Sequence, residues 1–191
     1  MVNVVVVYHS GYGHTARQAE AVARGARSVA GAEVRVLTSD EAQKAWGELA
    51  AADAIVFGAP TYMGSLSAQF KAFMDASSKA WATQAWKDKI AAGFTNSGSH
   101  SGDKLNSLVQ LAVFAAQHSM VWVGLGLMAG NNSAKGSPDE LNRAGFFLGA
   151  AAQSNVDQGP DLAPSASDLR TAEHLGKRVA EAAVRWTRAK A

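Results

Sequence analysis

The 191-residue chain contains no cysteine. Disulfides, zinc–thiolate centres and cysteine nucleophiles are therefore excluded. Charge is also sparse and balanced, with 18 Lys and Arg against 16 Asp and Glu and no clustered basic run. A nucleic-acid face needs a basic stripe, so no nucleic-acid partner is expected. No apolar stretch approaches the roughly 20 residues of a membrane span. Met1 leads within three residues into Val4-Val5-Val6-Val7. No charged segment or cleavage site precedes that run, so no signal peptide is expected, and the expected location is cytoplasmic. The 5 histidines have no short ligand spacing, so no metal is expected. No nucleophile stands beside its base, and no loop holds paired carboxylates. That pattern suits an enzyme whose cofactor supplies the chemistry.

What is present is an alternation of strand and helix. Val4–Tyr8 is an apolar, β-branched run suited to a central parallel strand buried on both faces. Ala16, Ala19, Val22, Ala23, Ala26 and Val29 then recur at helical spacing, with Arg17, Gln18, Arg24 and Arg27 expected to face outward. Further strands are expected at Glu33–Leu37, Ala54–Gly58, Ile90–Phe94 and Met120–Gly124. Helices are expected over Glu41–Ala51, around Phe70, Phe73 and Met74, and around Leu105, Leu108, Val109, Ala112 and Ala115. Residues 131–164 read as turn-forming, with one apolar island at Phe146-Phe147-Leu148. A last helix starts near Ser165, where Ser165 and Asp168 fit an acidic capping box. No linker or repeat divides residues 1–191. The alternation predicts one doubly wound α/β domain. Its parallel sheet has five strands with helices on both faces. Ligands of such sheets bind beyond the carboxyl ends of the strands.

Three of the strand-to-helix loops are rich in Gly, Ser, Thr and Asn. Gly11-Tyr12-Gly13-His14-Thr15-Ala16 formally satisfies the dinucleotide fingerprint G-x-G-x-x-G/A. That fingerprint also wants an acidic residue at the end of strand two, where Leu37-Thr38-Ser39 stands instead. The same loop fits a phosphate cradle. Ser10 and Thr15 supply hydroxyls, the glycines let backbone N–H groups turn inward, and the helix start adds its positive dipole end. A tight turn that binds nothing is the plainer alternative. Gly98 to Lys104 is not a P-loop, because Asp103 separates Gly102 from Lys104 and no Ser or Thr follows.

Tyr8-His9-Ser10-Gly11-Tyr12-Gly13-His14-Thr15 resembles the opening of the WrbA-type NAD(P)H:quinone oxidoreductases, whose loop reads S-x-Y-G-H. Gly58-Ala59-Pro60-Thr61-Tyr62-Met63-Gly64 resembles their G-x-P-T-R-F-G. Phe94-Thr95-Asn96-Ser97-Gly98-Ser99-His100-Ser101-Gly102 is similar to their third flavin loop, and Gln117-His118-Ser119-Met120-Val121 to their H-G-M-V. Tyr62 stands where the family has arginine. Ser99, His100 and Ser101 partly replace glycines, and the late loop lacks the family's P-Y-G.

The resemblance implies a flavodoxin-like fold of strand order 2-1-3-4-5 and non-covalent FMN. It also implies NAD(P)H as donor and a quinone as acceptor, linked by ping-pong hydride transfer, in a homo-oligomer (a dimer or homotetramer). By position, Ser10, Gly11, Tyr12, Gly13, His14 and Thr15 would bind phosphate. Pro60, Thr61, Tyr62, Met63 and Gly64 would lie beside the ribityl chain and ring. Thr95, Asn96, Ser97, Gly98, Ser99 and His100 would frame the isoalloxazine. Tyr12 would contact the nicotinamide nucleotide, Trp81 would border the acceptor pocket, and His118 would approach the flavin from a neighbouring subunit as the catalytic histidine. Plainer roles remain open for three of these. His100 suits a solvated loop, Trp81 suits packing, and His118 suits a helix C-terminus. Other functions also remain open: an electron-carrying flavodoxin, an FMN reductase that releases reduced FMN, and an interaction module that has lost the cofactor.

Overall fold

Val4, Val5, Val6 and Val7 are each at most 3% exposed. They form the centre of β1 (Val2–Tyr8), which lies between two parallel neighbours. The structure, a computed structural model, describes residues 1–188. After β1 come α1 (His14–Arg27), β2 (Ala32–Thr38), α2 (Ser39–Ala42), α3 (Trp46–Ala51) and β3 (Ala54–Tyr62). Then follow β4 (Ser65–Leu66), α4 (Ala68–Ala76), α5 (Ser78–Ala82), β5 (Ile90–Ser97) and α6 (Lys104–Gln117). β6 (Val121–Trp122), β7 (Ala150–Gln153) and α7 (Ala166–Arg188) complete the order. Parallel strands run β2-β1-β3-β5-β6, with β7 also pairing β5. This is the expected 2-1-3-4-5 order of a flavodoxin-like sheet, with its fifth place shared by two short strands.

Successive residues of each central strand serve opposite faces. Val4, Val6, Val56 and Ala92 pack against α1 and α7. Val5, Val7, Ile55, Phe57 and Ala91 pack against the aromatic cluster of Phe70, Phe73, Trp86 and Phe114. No helix among the described residues is long and apolar enough to cross a membrane.

Several local expectations need correction. The helix expected over Glu41–Ala51 is two short ones: a capping box at Thr38 and Glu41 starts α2 early, and the chain leaves helical geometry at Ala45 (φ −119°) before α3 begins. Gln18 does not face outward. It is fully buried, and its side-chain amide donates to Ala150 O at 3.3 Å. Leu105 and Val109 lie on the outer side of α6, 55% and 42% exposed, while Leu108 and Leu111 are buried.

The fifth strand is interrupted. Val121 and Trp122 pair with Ile90 and Ala91, and the chain then leaves the sheet. It returns as Ala150–Gln153 beside Phe94–Ser97. The returning strand lies inside the stretch read as turns. Its Ala-Ala-Ala run lacks the β-branched and aromatic residues that mark strands, so tertiary pairing alone places it. Trp122 Nε1 donates to Leu148 O at 3.0 Å and closes the excursion.

At the start of α7, Ser165 Oγ accepts from Asp168 N at 3.3 Å, which is half of a capping box. The Asp168 carboxylate turns elsewhere. It receives Arg143 at 2.8 and 2.7 Å and the Gln153 N–H at 2.9 Å. Side-chain exposures of 14% and 3% shelter this bidentate pair, which ties the excursion and β7 to α7.

Helices α1 and α7 cross at glycine. A Cβ on Gly25 would sit 1.8 Å from Glu173 O, and one on Gly176 would sit 1.8 Å from Val22 O. Both obstacles are backbone, so a methyl is accommodated only by separating the helices. Gly176→Ala is therefore expected to lower stability by about 3 kcal/mol, outweighing alanine's helix preference of about 1 kcal/mol. Thermal denaturation should show a Tm lowered by about 10 °C. A Tm within about 2 °C of the parent would contradict the close crossing.

Candidate functional site

The loop after β1 and the carboxyl ends of β3 and β5, with the loops that continue them, meet at the carboxyl edge of the sheet. They enclose a cavity of about 670 Å³, within the usual range for ligand pockets. Ser10, Tyr12, His14 and Thr15 line it from the first loop, and Pro60, Thr61 and Tyr62 from the second. Asn96, Ser97 and Gly98 line it from the third.

In the first loop, Gly13 has φ 88°, and the Ser10 hydroxyl accepts its N–H at 3.0 Å. A substituent there would be strained, and a Cβ would also lie 2.8 Å from Pro160 Cγ. Among the described residues no side chain caps α1, and its first turn holds no acidic residue. The first N–H groups of a helix have no intrahelical acceptor, so this end is left to receive an anion. His14 lines the cavity but is already engaged. Its Nε2 meets Gln158 O at 2.8 Å, and because a carbonyl only accepts, that nitrogen carries the proton.

The second loop is a tight hairpin. Thr61 and Tyr62 pair with Leu66 and Ser65 across Met63 and Gly64, both at positive φ (48° and 78°). That geometry marks a two-residue I′ turn. It carries Met63 to a fully exposed tip, so neither Met63 nor Gly64 lines the cavity. Tyr62 instead folds over the first loop. Its ring meets Tyr12 edge-on at 6.2 Å, and a Cβ on Gly11 would fall 2.6 Å from its hydroxyl oxygen. Gly11 thus serves the tyrosine rather than the cavity. Partial burial and the neighbouring Tyr12 raise the Tyr62 phenol above its ordinary pKa, against a Gly11 N–H that opposes the shift.

The third loop departs further from expectation. Thr95 is fully buried and donates to Ala59 O at 2.7 Å, with its oxygen 2.8 Å from Thr61 Oγ1. It joins β5 to β3 beneath the cavity and does not line it. Ser99 and His100 are exposed, and their carbonyls turn inward to Lys104 Nζ at 2.6 and 2.8 Å. Lys104, fully buried, was not foreseen as part of the site.

A fourth loop was missed altogether. Ser154, Val156, Asp157, Gln158 and Gly159 complete the lining. Ser154 Oγ donates to Asn96 Oδ1 at 2.9 Å, and Gln153 Nε2 donates to Gly98 O at 2.8 Å. The signal was the cluster Asn155, Asp157, Gly159 and Pro160, legible once Ala150–Gln153 is seen as a strand with its carboxyl end here. Among the described lining residues Asp157 is the only carboxylate, and none is Lys or Arg.

Two expected residues lie away from this cavity. Trp81 is half-exposed on α5 and lines no part of it. His118 is 1% exposed, with its ring 4.1 Å from Trp86 and 4.9 Å from Phe114. Enclosed by its own chain, it does not reach out to a flavin. The physical reason is its place at the end of α6, over the aromatic cluster. Ser77 Oγ donates to Met74 O, so His118 Nε2, 3.0 Å away, donates to Ser77. Nδ1 has no partner among the described residues.

Comparisons with known proteins show the family. The family model described as NADPH-dependent FMN reductase matches residues 30–134. The flavodoxin FldP of Pseudomonas aeruginosa is 45% identical, covering 94% of this chain and 96% of its own length. An NAD(P)H dehydrogenase (quinone) of Geobacter sulfurreducens is 36% identical over 96% of this chain and 98% of its own. A solved flavodoxin, WrbA-like protein from Agrobacterium tumefaciens superimposes with a TM-score of 0.74 at 42% identity, covering 97% of this chain and 99% of that one. The chain belongs to the WrbA-like, flavodoxin-fold family. Within that family its cavity is bounded by Tyr62 and closed by a loop that returns through the split fifth strand.

Burial holds the His118 pKa down to about 4. At pH 7 the ring is neutral in the folded chain and mostly neutral in the unfolded chain. As pH falls from about 6.5 toward 4, the unfolded chain takes up a proton that the folded chain refuses, so stability falls. The loss approaches about 3 kcal/mol below pH 4. Chemical denaturation at pH 7 and pH 4 should show a larger loss in the parent than in His118→Gln. Equal losses would contradict this placement.

Proposed function

We propose that the protein is an FMN-dependent oxidoreductase that passes two electrons from NAD(P)H to quinones. The observation that carries the reading is the uncapped α1 N-terminus opening into a cavity with hydroxyl and amide walls and an aromatic rim. A phosphate monoester fits there without a lysine or arginine, held by backbone N–H groups with the hydroxyls of Ser10 and Thr15. Thr61, Tyr62, Asn96, Ser97 and Gly98 would border the ribityl chain and the ring. Bound FMN would supply two-electron exchange with nicotinamide and quinone.

The chain's own residues do the rest. Tyr12, 76% exposed, and Val156, 91% exposed, stand at the mouth as apolar surface against which a planar ring stacks. One mouth serves both substrates, so nucleotide and quinone exclude each other. The quinone dehydrogenase relatives support this reading. The flavodoxin relative favours a second, in which the chain only carries electrons. The near-neutral charge gives that reading less support, because a carrier docks through a strong field of one sign. We also propose a homo-oligomer. The exposed Leu105, Val109 and Val113 along α6 support it, and sedimentation at micromolar concentration showing only monomer would remove it.

Steady-state rates with NADH and benzoquinone test the main reading. Parallel double-reciprocal lines are expected, together with bleaching of the flavin by NADH alone. Intersecting lines would contradict the shared mouth. Flavin that NADH leaves oxidised would assign the protein to electron carriage.

A further inference from the structure

Lys104 is the first residue of α6 and is completely buried. Its ammonium donates to Ser97 Oγ at 2.8 Å, Ser99 O at 2.6 Å and His100 O at 2.8 Å. It also lies 6.0 Å from the ring centroid of Phe146, in the excursion between β6 and β7. Ser97 belongs to the cavity wall, as does Gly98 between the anchored residues. The loop approaches Lys104 through Gly102 and Asp103, both at φ 54°. A Cβ on Gly102 would stand 2.3 Å from Ser97 Oγ. Glycine adopts positive φ freely, so only Asp103 departs from the usual backbone as the loop folds around one cation.

Burying an ammonium is costly unless its donors are satisfied. Here all three protons have acceptors, and two of these are carbonyls, so no carboxylate among these partners neutralises the charge. The charged groups that face it are Asp168 of α7, which favours the proton, and Arg143 of the excursion, which opposes it. Those two are paired with each other at 2.7 Å. A positive charge therefore remains directly behind the wall formed by Ser97 and Gly98.

We propose that Lys104 is a positioning residue for the flavin: it sets the shape of the third loop and places a positive charge behind the ring-facing wall. The inference rests on the FMN reading given above. A cation at this place strengthens FMN binding and favours the reduced flavin, which is the more negatively charged form at neutral pH.

The test compares the parent with Lys104→Met, using FMN titration of the apoprotein and the midpoint potential of the bound flavin. The expected result is an FMN dissociation constant raised about tenfold, as for a unit charge removed from behind the site at an effective dielectric of about 20, with a midpoint potential shifted to more negative values. A merely structural lysine would lower thermal stability and leave the potential unmoved. A folded variant with unchanged potential and an FMN affinity within about twofold of the parent would overturn the proposal.

A second measurement needs no variant. Burial lowers the Lys104 pKa to about 8, so FMN binding by the parent should weaken as pH rises from about 7 to 9.5, when this ammonium loses its proton. A parent that binds no FMN at any pH would fail the cofactor reading itself. A parent that binds FMN, with neither effect, would fail only the role of Lys104.

Discussion

The Val4–Val7 run leaves β1 no polar face to turn toward water. A strand so composed is stable only between two covered faces, and the remainder of the architecture answers that demand. α1 and α7 cover one side, and the aromatic cluster beneath α4 and α6 covers the other. Burial also fixes β1 in the interior of the sheet, with β2 on one side and β3 on the other. The chain reverses direction across the sheet at that place. The loop after β1 and the loop after β3 therefore open a crevice between them, the topological switch point where doubly wound sheets bind ligands.

Closure of that crevice depends on parts far away in sequence. Gly25 and Gly176 let α1 and α7 approach to backbone contact. The start of α7 then holds Asp168 where it receives both Arg143 and the Gln153 N–H. β7 is thereby fixed at the sheet edge, and the loop beyond it lies over the α1 N-terminus, with His14 bonded to Gln158 O and Pro160 against Gly13. Helix packing, a sheltered ion pair and the cavity's fourth wall form one connected structure.

The sequence signals were strongest where side-chain chemistry and backbone state coincide. β-branched runs marked β1 and β3, and helical spacing marked α1 and α7. The first loop was legible because glycine, serine and threonine carry both turn geometry and polar groups. The split of the fifth strand was not legible, since Ala150–Ala152 is neutral in propensity and is placed only by its pairing with β5. The late loop was hidden with it. Position along the chain also misled where a neighbour redirected a side chain. Met63 is carried outward by its turn, His118 is drawn into the aromatic cluster, and Ser99 and His100 turn their carbonyls to Lys104. Lys104 itself looked like an ordinary helix-start lysine, because burial of a charge depends on three-dimensional partners.

In the proposed FMN complex, the first loop and the α1 N-terminus would hold the phosphate. Calorimetric titration of the apoprotein with FMN and, separately, with riboflavin tests this directly, because the two ligands differ only in that phosphate. Several charge-assisted hydrogen bonds of about 1.5–3 kcal/mol each predict an affinity for FMN at least about a hundredfold above that for riboflavin. Equal affinities, or binding of neither, would contradict a phosphate cradle at this loop.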